Sequence, residues 1–257
     1  MNTIESRNDP AAGFFEAANG LLEALRNDEK DNIRHAARLF VEQIKNDRLI
    51  HVFGVGGHSA IGCEEFFWRA GGLANINPLF DQSLILAGGG RKSTMLERVP
   101  GIGDKVVAAQ NLGKGDLLVI TSIYGMNAAT IDAALEAKRR EATVVAITSR
   151  AHALATPPDF AARHPSRKNL FDLADVVIDN HVPHGDTVLE LDGFPQKIGS
   201  VSTMLVSACI QWLLIETVRQ CGAAHVVVPI WQSANVVGGD ERNTEYMNRY
   251  APRVKAL

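Results

Sequence analysis

Two kinds of hydrophobic pattern follow each other along the chain. In the first 48 residues, apolar side chains recur at the spacing of one helix face. This spacing predicts a helix over 11–26 and a second helix over 30–46, with a break at Asn27 and Asp28 between them. The positions that define the two faces are Phe14, Phe15, Ala18, Leu21, Leu22 and Leu25, then Ile33, Ala37, Phe40 and Ile44.

From residue 49 onward, short runs of continuously apolar residues alternate with helical patterns. We predict five strands at 49–54, 73–78, 116–121, 143–148 and 175–179, with His225–Pro229 as a candidate for one more. The intervening helices are predicted at 59–70, 127–140 and 200–221. Strands without polar alternation, separated by helices, indicate a parallel sheet covered on both faces. The predicted fold class is therefore α/β, a three-layer αβα sandwich around a mainly parallel five-stranded sheet, preceded by two N-terminal helices.

Net charge and cysteine content argue against several classes of protein. The 257 residues carry a net charge of −3, which argues against nucleic acid or an anionic membrane as a partner. Three cysteines without a C-x-x-C pair argue against a disulfide framework and fit a reducing compartment. The N-terminus has no apolar secretory core, and no run reaches transmembrane length. We expect a single cytoplasmic domain over 1–257, with a helical extension at 1–48 and a core at 49–240.

A glycine loop follows the first strand and opens a helix. Its sequence is Gly54-Val55-Gly56-Gly57-His58-Ser59, and Gly57, His58 and Ser59 are candidates for contacts to an anion. Unpaired N–H groups and the partial positive charge of a helix N-terminus favour a phosphate there. Ser59 stands where a dinucleotide fingerprint needs glycine, and the Gly-Lys-Ser/Thr of a P-loop is missing. A plain glycine turn with Ser59 as the N-cap remains the alternative.

A second polar loop, Ser122–Asn127, follows the third strand and also leads into a helix. Ser122 and Asn127 suit anion contact and capping, and Gly125 permits the turn between them. One such loop is a weak signal. Two loops at the carboxyl ends of parallel strands are a stronger one, because those ends share one edge of the sheet.

The second loop resembles the S-x-S-G-x-T phosphate loop of SIS (sugar isomerase) domains. Ser122 and Gly125 match that loop, whereas Tyr124 replaces its second serine and Asn127 replaces its threonine. The other matching segments are Gly54–Ser59, Glu64-Glu65 with Arg69-Ala70-Gly71-Gly72, Arg163–Ser166, Ala174–Asn180 and Ser233–Asp240. The resemblance implies that Ser122, the Ile123 and Tyr124 amides and Asn127 hold a phosphate. It also implies that Ser59, Thr148 and Ser149 line the same cleft.

The activity that the resemblance implies is isomerisation of a sugar phosphate or amino-sugar phosphate through an enediolate. That reaction needs a base near carbon and a proton shuttle between oxygens, and no cofactor is expected. Of Glu64 and Glu65, consecutive on a helix, at most one faces the cleft, and we favour Glu65. By resemblance, the segment 180–193 delivers Glu190 and Asp186 as candidate bases. The same segment offers His184 or His181 for ring opening.

Several alternatives stay open at this point. His181, His184 and Asp186 could instead form a zinc site, although such groupings more often mark a polar loop. Ser202 and Thr203 are predicted either as further hydroxyl or phosphate contacts or as an ordinary helix cap. The stretch 149–172 is predicted as a lid over the cleft. Three tryptophans are predicted as packing residues, namely Trp68, Trp212 and Trp231.

Two other functions compete with isomerisation, namely a non-catalytic phosphosugar sensor and a lyase or deaminase that uses the same cleft. Only 48 residues precede the first strand, and they lack a basic recognition helix, which disfavours DNA control. By resemblance, we expect a homodimer or homotetramer with sites near the subunit interface. The expected partner is a small sugar phosphate.

Overall fold

A computed structural model describes residues 9–257. The expectation that the N-terminus has no secretory core concerns residues 1–9, and of these only Asp9 is among the described residues. The two predicted N-terminal helices are α1, Pro10–Asp28, and α2, Lys30–Lys45. Helix α1 begins where Asp9 accepts hydrogen bonds from the N–H groups of Ala11 and Ala12.

The central sheet has five parallel strands, namely β1 Ile50–Phe53, β2 Ile76–Pro78, β3 Leu117–Ser122, β4 Thr143–Thr148 and β5 Val176–Asp179. Their order in the sheet is β2-β1-β3-β4-β5, which confirms the predicted fold class. Strand β4 has the predicted bounds and β3 is displaced by one residue, whereas β1, β2 and β5 are shorter than the apolar runs that predicted them.

Helices cover both faces of this sheet, which is why its strands are apolar on both sides. Alternate strand residues such as Val52 and Val119 pack in one core with α2 and with α9, Ser202–Ala223. Their neighbours Leu118 and Ile120 pack in a second core with α6, Ala128–Arg139. The result is the predicted three-layer sandwich.

The remaining elements are short or peripheral. A two-stranded antiparallel hairpin joins β6, Thr187–Leu189, to β7, Ile198–Ser200. The alternating sequence of 187–191 predicts a short exposed strand, whereas no strand is predicted at its partner β7. The other helices are α3 His58–Phe66, α4 Gly90–Leu96, α5 Gly103–Ala108, α7 Arg150–Ala155, α8 Leu170–Leu173 and α10 Gly239–Tyr250, with a 3₁₀ turn at Leu86–Gly88.

Two element predictions need correction. The helix predicted over 59–70 ends at Phe66, because Phe67 is extended, and Trp68 after it is left-handed with a φ of 53°. The candidate strand at 225–229 does not form, and only Ile230 makes an isolated antiparallel bridge to Leu73. Within residues 9–257, none of the helices has both the length and the apolar character needed to span a bilayer.

Candidate functional site

The two predicted loops meet at one edge of the sheet. Strands β1 and β3 are neighbours, and the chain leaves β1 toward β2 on one side and β3 toward β4 on the other. This is the switch point at which doubly wound sheets bind ligands. The loops enclose a cavity of about 250 Å³ lined by Val55, Gly56, Gly57, His58, Ser59, Thr94, Glu97, Arg98, Ser122, Ile123, Tyr124, Asn127 and Thr130.

The conformation of the second loop depends on Gly125. Its φ is 59°, and a β-carbon there would collide with Oγ1 of Thr148. The glycine N–H donates to Ser122 Oγ at 3.1 Å, and Thr130 Oγ1 donates to the same oxygen at 3.4 Å. Because Ser122 Oγ accepts both bonds, its own hydrogen can point into the cavity. Ser122 Oγ can therefore donate a hydrogen bond to a group placed in the cavity.

Asn127 is the N-cap residue of helix α6, and its side chain makes no capping hydrogen bond to that helix. The residue is buried, and its Oδ1 has no hydrogen-bond partner among the described residues. A buried carbonyl oxygen without a partner is rare in a folded protein and is satisfied when a ligand brings an O–H or N–H group. Asn127 Oδ1 is therefore available to a donor group placed in the cavity.

Glu97 and Arg98 add one carboxylate and one guanidinium to the cavity wall. Burial raises the pKa of Glu97, while the charge of Arg98 and a hydrogen bond from Asn127 act in the opposite direction. The backbone at Glu97 is anchored to the first turn of α6, since Ala129 N–H donates to its carbonyl at 2.9 Å. Neither residue was predicted from the sequence, because 79–115 carries no long periodic pattern.

His58 connects the first loop to the hairpin region. Its Nε2 lies 3.8 Å from Oδ2 of Asp186. Asp186 is buried and caps helix α9: its Oδ1 accepts from the N–H groups of Val201 and Ser202, and its Oδ2 accepts from Ser202 Oγ at 2.7 Å. Asp186 thus stabilises the start of α9 and places a negative charge beside His58.

Comparison with known proteins identifies the family. The family model of the SIS domain matches residues 13–149, more than half of the chain. This chain belongs to the SIS-domain family. The resemblance seen in the sequence is thereby confirmed.

The SIS-domain protein is also similar to a curated relative over nearly its whole length, and it shares its fold with solved structures. A UPF0309 protein of Geobacillus kaustophilus (strain HTA426) is 34% identical over 244 residues, which cover 95% of each chain. A phosphoheptose isomerase from Francisella tularensis shares the fold with a TM-score of 0.54 at 16% identity, covering 85% of this chain and 100% of that one. The phosphoheptose isomerase GmhA from Neisseria gonorrhoeae gives a TM-score of 0.52 at 20% identity, with 88% and 100% covered.

Three aromatic rings of the SIS-domain protein stack outward from the cavity. Tyr124, which lines the cavity, stacks on His152 with ring centroids 4.1 Å apart, and His152 stacks on His184 at 4.7 Å. Burial lowers the pKa of His152 to about 4, and its Nδ1 accepts a hydrogen bond from Gly185 N–H. Neutral His152 therefore supports Tyr124. His184 touches the cavity wall only through this stack.

The two favoured glutamates lie away from the cavity. Glu65 accepts a hydrogen bond from Gln211 Nε2 at 2.6 Å and pairs with Arg69 at 3.2 Å. Glu190 is exposed and pairs with Lys197 at 2.7 Å, which lowers the pKa of its carboxyl. Neither side chain lines the cavity of this chain.

Four predicted binding residues also fall outside the cavity wall. Thr148 lies behind Gly125. Ser149 caps α7 by accepting from His152 N–H, and its hydroxyl donates to the Val182 carbonyl.

Ser202 is the first residue of α9 and is bound to Asp186, and Thr203 is exposed on the same helix. Thr148, Ser149 and Ser202 are thus engaged in contacts within the fold.

The zinc alternative is not supported by the side-chain positions. His181 faces Asp28 and Glu29 at 3.8 and 3.9 Å, whereas His184 stacks on His152 and Asp186 caps a helix. No group of three His, Cys, Asp or Glu side chains within residues 9–257 converges in a way that could hold a metal ion.

The stretch 149–172 is held together mainly by Arg163. Its guanidinium donates to the carbonyls of Ala153, Thr156 and Pro157 and to Oδ1 of Asn169. No residue of this stretch lines the cavity, although His152 supports Tyr124 from behind. The stretch buttresses the second loop in this conformation instead of covering the cleft as a lid.

Proposed function

We propose that this SIS-domain protein binds a phosphorylated sugar with the phosphate in the cavity between the loops 54–59 and 122–127. The convergence of these loops at one sheet edge is the observation that carries the proposal. The helices α3 and α6 both begin at the cavity, so two sets of N–H groups and two partial positive charges face it. Ser122 and Arg98 supply a hydroxyl donor and a full positive charge.

Protonation of Glu97 decides how well this cavity accepts an anion. An ionised carboxylate in the wall repels a phosphate dianion, whereas a protonated one donates a hydrogen bond to it. The raised pKa of Glu97 brings the protonated form closer to neutral pH. Asn127 Oδ1, which also needs a donor, is satisfied by a sugar hydroxyl or a protonated phosphate oxygen. Binding is therefore accompanied by proton uptake.

The reaction that we propose is aldose–ketose isomerisation through an enediolate. Two titratable side chains of the cavity can move protons, and both are close to the phosphate position: Glu97 and His58. His58 beside Asp186 is suited to take up the carbon-bound proton, and Glu97, which is protonated when the phosphate is bound, can supply a proton to the carbonyl oxygen. The shared fold with proteins named phosphoheptose isomerases supports the same class of reaction.

The expected dimer stays a prediction. In such a dimer, His184 and Glu190 are the exposed candidates that could serve a neighbouring subunit, since neither lines the cavity of its own chain. Glu65 is buried by its contacts with Gln211 and Arg69, and we assign it a structural role.

The binding proposal is tested by calorimetry with a panel of sugar phosphates and their unphosphorylated counterparts. Ser122→Ala should lower the affinity for the phosphorylated compounds about tenfold, the value of one charge-assisted hydrogen bond. Ser200→Ala, on the exposed strand β7, is the matched control and should bind as the wild type does. Equal affinity for an unphosphorylated sugar, or unchanged binding by Ser122→Ala, would overturn the proposal.

A phosphosugar sensor is the second candidate, because Glu65 and Glu190 are held in ion pairs outside the cavity. Isomerisation and sensing differ in one measurable step, the exchange of a carbon-bound hydrogen with solvent. In deuterated water, NMR of a bound sugar phosphate should show deuterium entering the carbon beside the carbonyl, and Glu97→Gln should slow this exchange. Tight binding without exchange would favour the sensor.

A further inference from the structure

A second cavity lies at the opposite end of helix α3 from the phosphate cavity. It encloses about 390 Å³ and includes Trp68, Arg69, Trp231, Gln232 and Asn235 in its lining. Helix α3 has 9 residues, which places the two cavities about 13 Å apart along its axis. The proposed function uses none of these side chains, so the second cavity requires its own explanation.

One of the two tryptophans is buried, and the other is half exposed. Their rings meet edge to face with centroids 4.8 Å apart, and Trp231 is 4% exposed, whereas Trp68 is 52% exposed. A tryptophan side chain that is half exposed to water contributes much less hydrophobic stabilisation than a buried one. Trp68 also has a φ of 53°, a strained conformation for a bulky residue. Trp68 was predicted to be a packing residue, yet it presents one side to the cavity.

Hydrogen bonds fix the positions of the residues that line the second cavity. Gly71 N–H donates to the Trp231 carbonyl and Trp231 N–H donates to the Gly72 carbonyl, each at 2.9 Å. The Asn243 side chain accepts from Gln232 N–H and donates to the Gln232 carbonyl. These bonds fix both walls, so a ligand would not have to order them.

The polar groups of the cavity are rich in donors and close to neutral in charge. Arg69 keeps a half-exposed guanidinium, and its positive charge is balanced by Glu65 at 3.2 Å. The side-chain amides of Gln232 and Asn235 supply both donors and acceptors. A neutral ligand with an apolar face and several hydroxyl groups matches this combination better than an anion does.

We propose that this second cavity binds an unphosphorylated carbohydrate ring, stacked by its C–H face on Trp68 and hydrogen-bonded to Arg69, Gln232 and Asn235. A pyranose has both features, one apolar face and a rim of hydroxyl groups. The site is separate from the phosphate cavity, so its ligand need not be the compound bound there.

Tryptophan fluorescence gives a direct test, because two of the three tryptophans line the cavity. Glucose and N-acetylglucosamine are titrated into the full-length protein, with adenosine as a planar, stacking control. We expect a saturable change in emission with at least one sugar, in Ser122→Ala as well as in the wild type. Trp68→Ala loses part of the signal, so its affinity is measured by calorimetry and should fall about tenfold or more.

Four outcomes would overturn the assignment: no saturable change with either sugar, saturation by adenosine alone, loss of sugar binding in Ser122→Ala, or unchanged binding by Trp68→Ala. A folded Trp68→Phe, which keeps an aromatic face, should retain most of the affinity and so excludes misfolding as the cause of a loss. If Trp68→Ala changes the oligomeric state and no sugar binds, the cavity is instead covered by a second copy of the chain. Failure of sugar binding leaves the phosphate site untouched, because that site is tested separately through Ser122.

Discussion

The carboxylate of Glu97 lies directly against the α-carbon of Gly56, so that a β-carbon at position 56 would come within 2.8 Å of Glu97 Oε2. Gly56 also has a φ of 79°, in the region that favours glycine. The first loop and the segment after α4 therefore constrain each other. This contact connects the glycine pattern visible in the sequence to a carboxylate that no pattern revealed.

Gly56→Ala should weaken both the fold and the phosphate site. The left-handed conformation costs about 1 kcal/mol with a side chain. The methyl group and the Glu97 carboxylate also cannot keep their positions together, so the first loop should shift and its N–H groups should move relative to the cavity. We expect this stability loss in urea unfolding together with a several-fold loss of phosphate affinity in calorimetry. Gly57→Ala is the matched control, since a β-carbon there meets only the flexible end of Leu86 at 3.1 Å. Equal effects of the two variants would contradict the role given to the contact.

Glu97→Gln should stabilise the protein increasingly as pH rises. Burial raises the pKa of Glu97 above the 4.5 of an unfolded glutamate, so the folded state holds a proton that the unfolded state releases. The stability from this proton is complete below pH 4.5 and is lost as pH rises through the folded value. Glutamine never ionises, so the free energy of unfolding of the variant should exceed that of the wild type at neutral pH and not in acid.

The same variant should bind inorganic phosphate about tenfold more tightly at neutral pH, because one like charge is removed from the cavity. Calorimetry as a function of pH checks this, and the pH dependence of wild-type affinity should flatten in the variant. Glu190→Gln, at an exposed ion pair, serves as the control for both measurements. An affinity that falls in Glu97→Gln would show that the carboxylate assists binding.

The parts of the site that could be predicted are those that a short stretch of sequence is enough to identify. Gly54–Ser59 and Ser122–Asn127 were recognisable because each loop follows a continuously apolar strand, and parallel strands bring their carboxyl ends to one edge. Whether those strands were neighbours depended on topology. The order β2-β1-β3 places both loops beside each other.

Glu97 could not be predicted in the same way. It follows a helix of 7 residues, too short for a hydrophobic period, and its position depends on a backbone hydrogen bond from Ala129, far away in sequence. The only indication of a functional segment was the length of 79–115, since loops of that size seldom lack structure. Asp186 illustrates the converse case. The sequence marked its carboxylate as a candidate base, and only the structure could show that its oxygens also cap α9.

Asp186→Ala should therefore lower the free energy of unfolding and leave phosphate affinity nearly unchanged. The substitution removes acceptors from two buried N–H groups and one hydroxyl at the start of α9, which should lower the free energy of unfolding by about 2 kcal/mol. Asp186→Asn keeps one acceptor oxygen and should recover about half of this loss. Urea unfolding measures both variants, and phosphate affinity of the folded fraction should stay within about twofold. A stable Asp186→Ala that no longer binds phosphate would instead show a direct role.

His51 should make the protein sensitive to mild acid. It is buried in β1, and burial lowers its pKa from 6.5 to about 4. The close approach of Asn77 Nδ2 at 2.9 Å fits a neutral ring whose Nδ1 accepts. Between these two pH values, the unfolded state binds a proton that the folded state does not. The stability contributed by neutral His51 is thus complete above pH 6.5 and is lost as pH falls toward about 4.

The full loss from this one side chain amounts to about 3 kcal/mol, at 1.4 kcal/mol per pKa unit. In His51→Leu, the free energy of unfolding should depend less steeply on pH across this window, even though the variant is less stable at neutral pH because Asn77 loses a partner. Part of the slope should remain, since His152 has a pKa lowered to about 4 as well. His35→Gln, on the exposed face of α2, should leave the slope unchanged. If His51→Leu retains the wild-type slope in urea unfolding series, another group is responsible for the acid sensitivity.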